Sequence, residues 1–229
     1  MKSSKFSPAP VFPADIDRAT YSAIAKELGD NPKAIITPGY LRLDQVLTTQ
    51  NNIEFPVLTN DSGTGAARAS EQRLKTSDAF YVNRVSVYVA KETTANGAGS
   101  AEPQTWANPA VFTGIDQPSI ARLMNAGALR VEVDGVVYIQ ALDLLRFRQV
   151  GQAQQGVASA GASEWNNGQV WAMNTPVFRL NGGSSNDVSV SVRGAIAATA
   201  PAGTEQNILT VHFHGWLAQN AGQFNAADR

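Results

Sequence analysis

Ala128-Leu129-Arg130-Val131-Glu132-Val133, then Asp134-Gly135, then Val136-Val137-Tyr138-Ile139-Gln140, is the stretch whose reading decides the fold. Asp-Gly suits a two-residue turn with positive φ at both positions. Here it separates two runs of β-branched and aromatic residues, so the stretch reads as a β-hairpin. Val133 then pairs with Val136. Leu129, Val131 and Val133 alternate with Arg130, Glu132 and Asp134, which gives the first strand one apolar and one wet face. Uninterrupted pairing sets Tyr138 opposite Val131 on the buried face. That leaves Val137 and Ile139 on the face that carries Glu132 and Arg130, where they call for a cover.

Downstream of the hairpin, Leu142, Leu144, Leu145 and Phe147 extend the second strand or turn it into another. Gly151 to Gly168 is rich in Gln, Gly, Ala and Ser and reads as a surface excursion. Val170 to Met173 and Pro176 to Leu180 read as strands, followed by a turn at Asn181-Gly182-Gly183. Val188, Val190 and Val192 alternate with Ser189, Ser191 and Arg193 in the most regular half-buried strand of the chain. In the last strand, Ile208 to Leu217, Leu209, Val211, Phe213, Gly215 and Leu217 oppose Thr210, His212, His214 and Trp216. A polar tail runs from Asn220 to Arg229.

Upstream, Ser119 to Asn125 reads as a short helix capped by Ser119 and stopped by Gly127. Glu92 to Pro109 is a long polar loop containing Trp106, and a loop of that length is usually a functional or contact surface. In Phe80 to Val89 the apolar phase slips: Phe80 and Val82 hold one parity, Val85, Val87 and Val89 the other. A β-bulge at Asn83 or Arg84 produces such a slip. Asn60 to Ser70 is a loop. From Tyr40, Leu41, Leu43, Val46, Ile53, Phe55 and Val57 begin the β-domain, with Pro56 marking an edge or a bulge. Before it, Thr20, Ile24 and Leu28 fall at four-residue spacing ahead of Gly29 and Pro32. They predict a helix from about Ile16 to Leu28 that lies on a sheet or on a neighbouring subunit. Met1 to Pro13 reads as an extended arm. The count is eight or nine strands without βαβ alternation, the pattern of an all-β antiparallel sandwich or barrel with Greek-key connections.

Composition narrows the function classes. The 229 residues include 18 Lys and Arg against 19 Asp and Glu, a net charge of -1, which is no electrostatic footprint for nucleic acid or an anionic membrane. The absence of cysteine removes disulfides, thiolate metal sites and cysteine nucleophiles. No run approaches the roughly 18 apolar residues of a membrane-spanning helix, and Met1 to Pro10 lacks the apolar stretch of a signal peptide, so the expected place of synthesis is a cytoplasm. Only 16% of the residues are charged, a surface suited to packing against copies of itself.

Few residues could carry chemistry. His212 and His214 lie two apart on one strand face and could approach one metal ion, but a site needs a third ligand and none shows in the sequence. A wet or intersubunit strand face is the simpler reading. Asp61-Ser62-Gly63-Thr64-Gly65 lacks both the lysine of a phosphate loop and the carboxylates of a calcium loop, so it reads as a plain loop. Asp44, Glu54, Asp78, Glu132 and Asp134 could pair as glycosidase carboxylates, yet most sit in the polar phase of alternating strands. Gly-x-Ser-x-Gly is missing, so a nucleophile elbow is not expected. Trp106, Trp165 and Trp171 suit either a sugar-stacking platform or contacts between subunits. No catalysis and no cofactor are expected.

Several segments, in order, resemble the major capsid proteins of tailless icosahedral bacteriophages. They are Leu41-Arg42-Leu43 with Ile53-Glu54-Phe55-Pro56-Val57, Arg73-Leu74 followed by Asp78-Ala79-Phe80-Tyr81-Val82, Pro176-Val177-Phe178-Arg179-Leu180-Asn181-Gly182, and Leu209-Thr210-Val211-His212-Phe213-His214-Gly215. The resemblance implies a single jelly-roll sandwich across residues 39–219, an N-terminal arm with one short helix over 1–38 and a polar tail over 220–229. The alternative is a compact double jelly roll, although tandem jelly rolls need about 16 strands and the chain offers about half that number. It further implies a structural virion protein that closes into an icosahedral shell around the genome. Its partners would be copies of itself, with other virion proteins or an internal membrane beside them and nucleic acid contacted weakly or indirectly. Lys2, Lys5, Tyr21, Ile24, Leu28, Trp106, Val137, Ile139 and Trp165 are the expected subunit contacts. A carbohydrate-binding jelly roll, stacking sugars on the loop tryptophans, is the alternative function.

Overall fold

The computed structural model of the chain describes residues 15–29, 31, 33–59, 73–93, 117–147, 171–172, 178–197 and 205–221. The first half holds α1 (Asp15–Glu27), β1 (Ile35–Val46), β2 (Asn52–Pro56), β3 (Leu58–Thr59), β4 (Arg73–Leu74), β5 (Ala79–Thr93) and α2 (Gln117–Ala126). After α2 come β6 (Gly127–Val133), β7 (Val136–Asp143), a 3₁₀ turn (Leu144–Phe147), β8 (Trp171–Ala172), β9 (Phe178–Asn181), β10 (Asn186–Val192) and β11 (Glu205–Gln219).

The chain is an all-β sandwich of two antiparallel sheets. Sheet A runs β1-β11-β5, with β9 and β8 both pairing β5, and sheet B runs β2-β10-β6-β7. Setting aside the two-residue strands, the pairings nest: β1 with β11, β2 with β10, β5 with β9, and β6 with β7. First meets last, second meets second to last, and so on inward to the turn at Asp134-Gly135. The chain is thus one long antiparallel ribbon whose tip is the β6–β7 hairpin. Two further pairings, β11 with β5 and β10 with β6, roll the ribbon into the two sheets.

The tip forms as the sequence dictates. Asp134 and Gly135 take φ of 50° and 80°, and Val133 pairs with Val136. The Asp134 amide donates to the Ser185 carbonyl at 2.9 Å and the Ser185 amide to Asp134 Oδ1 at 3.1 Å, which ties the tip to the β9–β10 connection. Beyond the turn, the expected register fails. Two irregularities in the β6–β7 ladder set Val131 opposite Ile139 and Leu129 opposite Leu142. Ile139 therefore packs against the core instead of sharing the outer face with Arg130, while Val137 stays on that face opposite Glu132. Tyr138 is not the buried partner of Val131. It is exposed on one side and stacks on Phe178 with the other, ring centroids 5.5 Å apart.

Between the sheets the core is apolar. Leu41, Leu43, Val85, Val87, Val89, Leu209, Val211 and Phe213 of sheet A meet Ile53, Phe55, Leu129, Val131, Val133, Val188, Val190 and Val192 of sheet B. Each such side chain, taken out of water, contributes about 1.5–3 kcal/mol. The bulge in β5 lets this strand serve one core throughout: His214 pairs with Arg84 and Gly215 with Val82, so Asn83 is left over. Phe80 and Val82 then face inward as Val85 and Val87 do. Gly215 is required at this point, since a Cβ there would lie 1.8 Å from the Tyr81 carbonyl oxygen.

Other expectations are adjusted. β1 begins at Ile35, so a boundary between residues 38 and 39 falls inside a strand. α2 starts at Gln117, so Ser119 is not its cap; buried in the helix, its Oγ accepts from the Ala197 amide at 2.8 Å. Leu144 and Phe147 enter the core from the 3₁₀ turn, because a strand here would point one of them outward. The expected arm Met1 to Pro13 and most of the loops Asn60 to Ser70, Glu92 to Pro109 and Gly151 to Gly168 lie outside the described residues.

Candidate functional site

The interior is filled by hydrocarbon, so any chemistry must sit on outer faces, edges or ends. Nine side chains make a three-by-three grid on the outer face of sheet A. Its rungs are Tyr40, His214 and Arg84; Arg42, His212 and Ser86; and Asp44, Thr210 and Tyr88. They share this face because the intervening residues of β1, β11 and β5 belong to the core.

The grid is bonded within itself. Asp44 accepts from Arg42 Nε at 2.8–2.9 Å and from Thr210 Oγ1 at 2.6 Å. Ser86 Oγ lies 3.3 Å from His214 Nε2. The His212 ring stands edge-on to Tyr88 at 5.3 Å and near Tyr40 and His214, both at 5.8 Å. His212 Nε2 and Arg42 Nη2 are buried without a hydrogen-bond partner. Burial, then the Arg42 and His214 charges, push the His212 imidazolium down to about 4, against a smaller opposing pull from Asp44. Burial and Arg84 lower His214 as well. At neutral pH both rings are therefore uncharged.

Neutral imidazoles suit a metal, but the geometry does not assemble a site: among the described residues no three His, Asp or Glu could hold one ion. Nor is Ser86–His214 a catalytic pair. Ser86 is 1% exposed, out of a substrate's reach, and the nearby Asp44 serves Arg42 and Thr210 instead of orienting His214. The depression beside the bulge, lined by Asn83, Arg84, His214 and Trp216, measures about 140 Å³. Small-molecule sites usually need about 300–1,000 Å³.

The carboxylates singled out in the sequence are dispersed. Asp78 is buried and structural: its Oδ1 accepts from the Asn220 amide at 2.9 Å and its carbonyl from the Gly182 amide at 3.0 Å, joining the end of β11 to the β9–β10 turn. Glu54 accepts from Asn52, Glu132 pairs with Arg130 on the outer face of sheet B, and Asp134 belongs to the hairpin turn. Grid members Tyr40, Arg42, Ser86, Tyr88 and Thr210 were missed as a group, although even numbering on all three strands was the available signal.

Four expected contact residues are occupied within the chain, Ile139 against the main core and three on α1. Ile24 and Leu28 of α1 are 2% and 5% exposed in a second apolar cluster with Tyr81, Trp216 and Ala218, on the outer face of sheet A beyond the grid. Tyr21 packs against that cluster, its ring 5.3 Å from Trp216, and Glu27 is bonded by Arg179 of β9 at 2.8 Å. Of the two alternatives for this helix, a sheet of its own chain covers its stripe. Val137 remains exposed. Lys2, Lys5, Trp106, Trp165 and the Asp61–Gly65 loop lie outside the described residues.

Among the described residues no helix is long and apolar enough to cross a membrane. No protein-family model, curated protein or solved structure matches the chain.

Proposed function

We propose that the chain is a viral coat subunit, a bacteriophage capsid protein that assembles with copies of itself into an icosahedral shell around the genome. It is made in the host cytoplasm and resides in the virion. The observation that carries this reading is the nested order of strand pairs around a sealed apolar interior. A ribbon of eight strands rolled into two four-stranded sheets is the winding of a jelly roll, the architecture of capsid and lectin domains and of cupins. A cupin-like use of the fold needs polar or metal-binding groups between the sheets, where this chain has Val, Leu, Ile and Phe. A lectin-like use would rest on the loop tryptophans, of which Trp106 and Trp165 lie outside the described residues. A shell subunit needs only a rigid sandwich with adhesive margins. Electron microscopy of the purified chain across salt and pH should show closed shells. Monomers under every condition would overturn the reading.

A further inference from the structure

Among the described residues, the large hydrophobic side chains that remain exposed fall in two places. Ile35, Tyr40 and Val46 lie on β1, the edge of sheet A; Val136, Val137 and Tyr138 lie on β7, the edge of sheet B, with Leu145 in the turn that follows it. The two edges are chemically alike. Ile35 to Leu41 and Val136 to Leu142 are each seven residues without a charge, in a chain whose charged residues make up 16%. Edge strands are usually blunted with charges, proline or bulges; these stretches carry no charge, although Arg42 and Asp44 follow in β1 and Asp143 closes β7.

The two edges also lie on opposite sides of the sandwich. β1 touches β2, and β7 is the far edge of sheet B from β2. We propose that the β7 edge of one copy seats against the β1 edge of the next, a head-to-tail contact that repeats around a ring. This rests on the reading of the chain as a shell subunit and names the surfaces that join its copies. Contact between two different patches on opposite sides is heterologous and closes into a ring where the rotation allows, whereas a patch that pairs with itself stops at a dimer. The seven residues, each 39–54% exposed, present roughly 600 Å² of surface with polar atoms included, so a single contact is weak and gains strength by repetition around the ring. Side chains, not a continued β-ladder, hold it. Pro38 removes a donor from β1, and the two irregularities in β7 break the even spacing that strand addition needs.

The chain has no cysteine, which makes the test direct. Full-length chains carrying V46C, V137C or both are treated with a short bismaleimide under assembly conditions. The double variant should give a ladder of covalent dimers, trimers and higher species, and each single variant should stay monomeric on a denaturing gel. Dimers from V137C alone, as abundant as in the double variant, would overturn the proposal, as would no ladder from shells that form normally. In that last case the shell reading survives. A ladder from small rings in preparations without shells would uphold the edge contact and sink the shell reading. A second measurement uses charge: V136K/V137K and I35K/V46K chains should each self-associate at least about tenfold more weakly in sedimentation. Mixed, they should recover a dimer and nothing larger, because one intact edge of each kind remains. Unchanged self-association in both variants would overturn the contact.

Discussion

The outer faces of the two sheets begin from the same period-two alternation and end differently. On sheet B most outward residues remain with water: Glu54, Asp187 and Ser191 are exposed and the Arg130–Glu132 pair is part-exposed, with Ser189 the buried exception. On sheet A the outward residues are largely covered. Trp216, Tyr81, Tyr88, Ser86 and Thr210 are buried, and α1 lies over the end that carries Trp216 and Tyr81. A polar side chain on a wet face needs no protein partner, whereas one on a covered face must find one or carry a cost. The grid of Asp44, Thr210, Arg42, Ser86 and His214 is the consequence, and the unpartnered His212 Nε2 and Arg42 Nη2 are where satisfaction stops.

The largest effect that tests this contrast is loss of the indole beneath α1. Trp216→Ala should destabilise the chain by about 3–5 kcal/mol in urea unfolding, since it empties the centre of the second apolar cluster. A change below about 1 kcal/mol would mean that α1 does not hold that face. Next comes acid. The unfolded chain takes up a proton at His212 near its ordinary 6.5, while the folded chain refuses it until about pH 4. Stability is therefore full above pH 6.5 and falls as the pH drops through this interval, by on the order of 3 kcal/mol. His212→Phe should remove that part of the loss when unfolding is compared at pH 7 and pH 4.5; an identical loss in the variant would place the sensitivity elsewhere. The smallest effect belongs to sheet B. Glu132→Ala should cost less than about 1 kcal/mol, because the pair it breaks is part-exposed. A larger loss would show that the sheet B face is covered as well.

Local signals in the sequence were enough for the hairpin tip, a bulge at Asn83 or Arg84, the positions of α1 and α2 within two residues and the apolar parity of β10 and β11. Each depends on neighbours a few residues away: positive φ at Asp134-Gly135, a slip in a period of two, or apolar spacing around a helix. The register of β7 was not legible, because its ladder irregularities lie in a run where Val137, Tyr138 and Ile139 are all apolar and no alternation reports which one turns inward. Coverage of the sheet A face was hidden for a different reason. His212 and Tyr88 sit in the polar phase of their strands whether water or protein lies above them, and the grid joins residues as far apart as Asp44 and Thr210. The sequence by itself determined that strands form and which of their faces is apolar, since both follow from short-range sterics and alternation. The tertiary structure alone decided which strands neighbour each other, which outer face is buried and which edges of the described sheets expose hydrophobic side chains, because those outcomes depend on contacts between segments that period-two patterning leaves interchangeable.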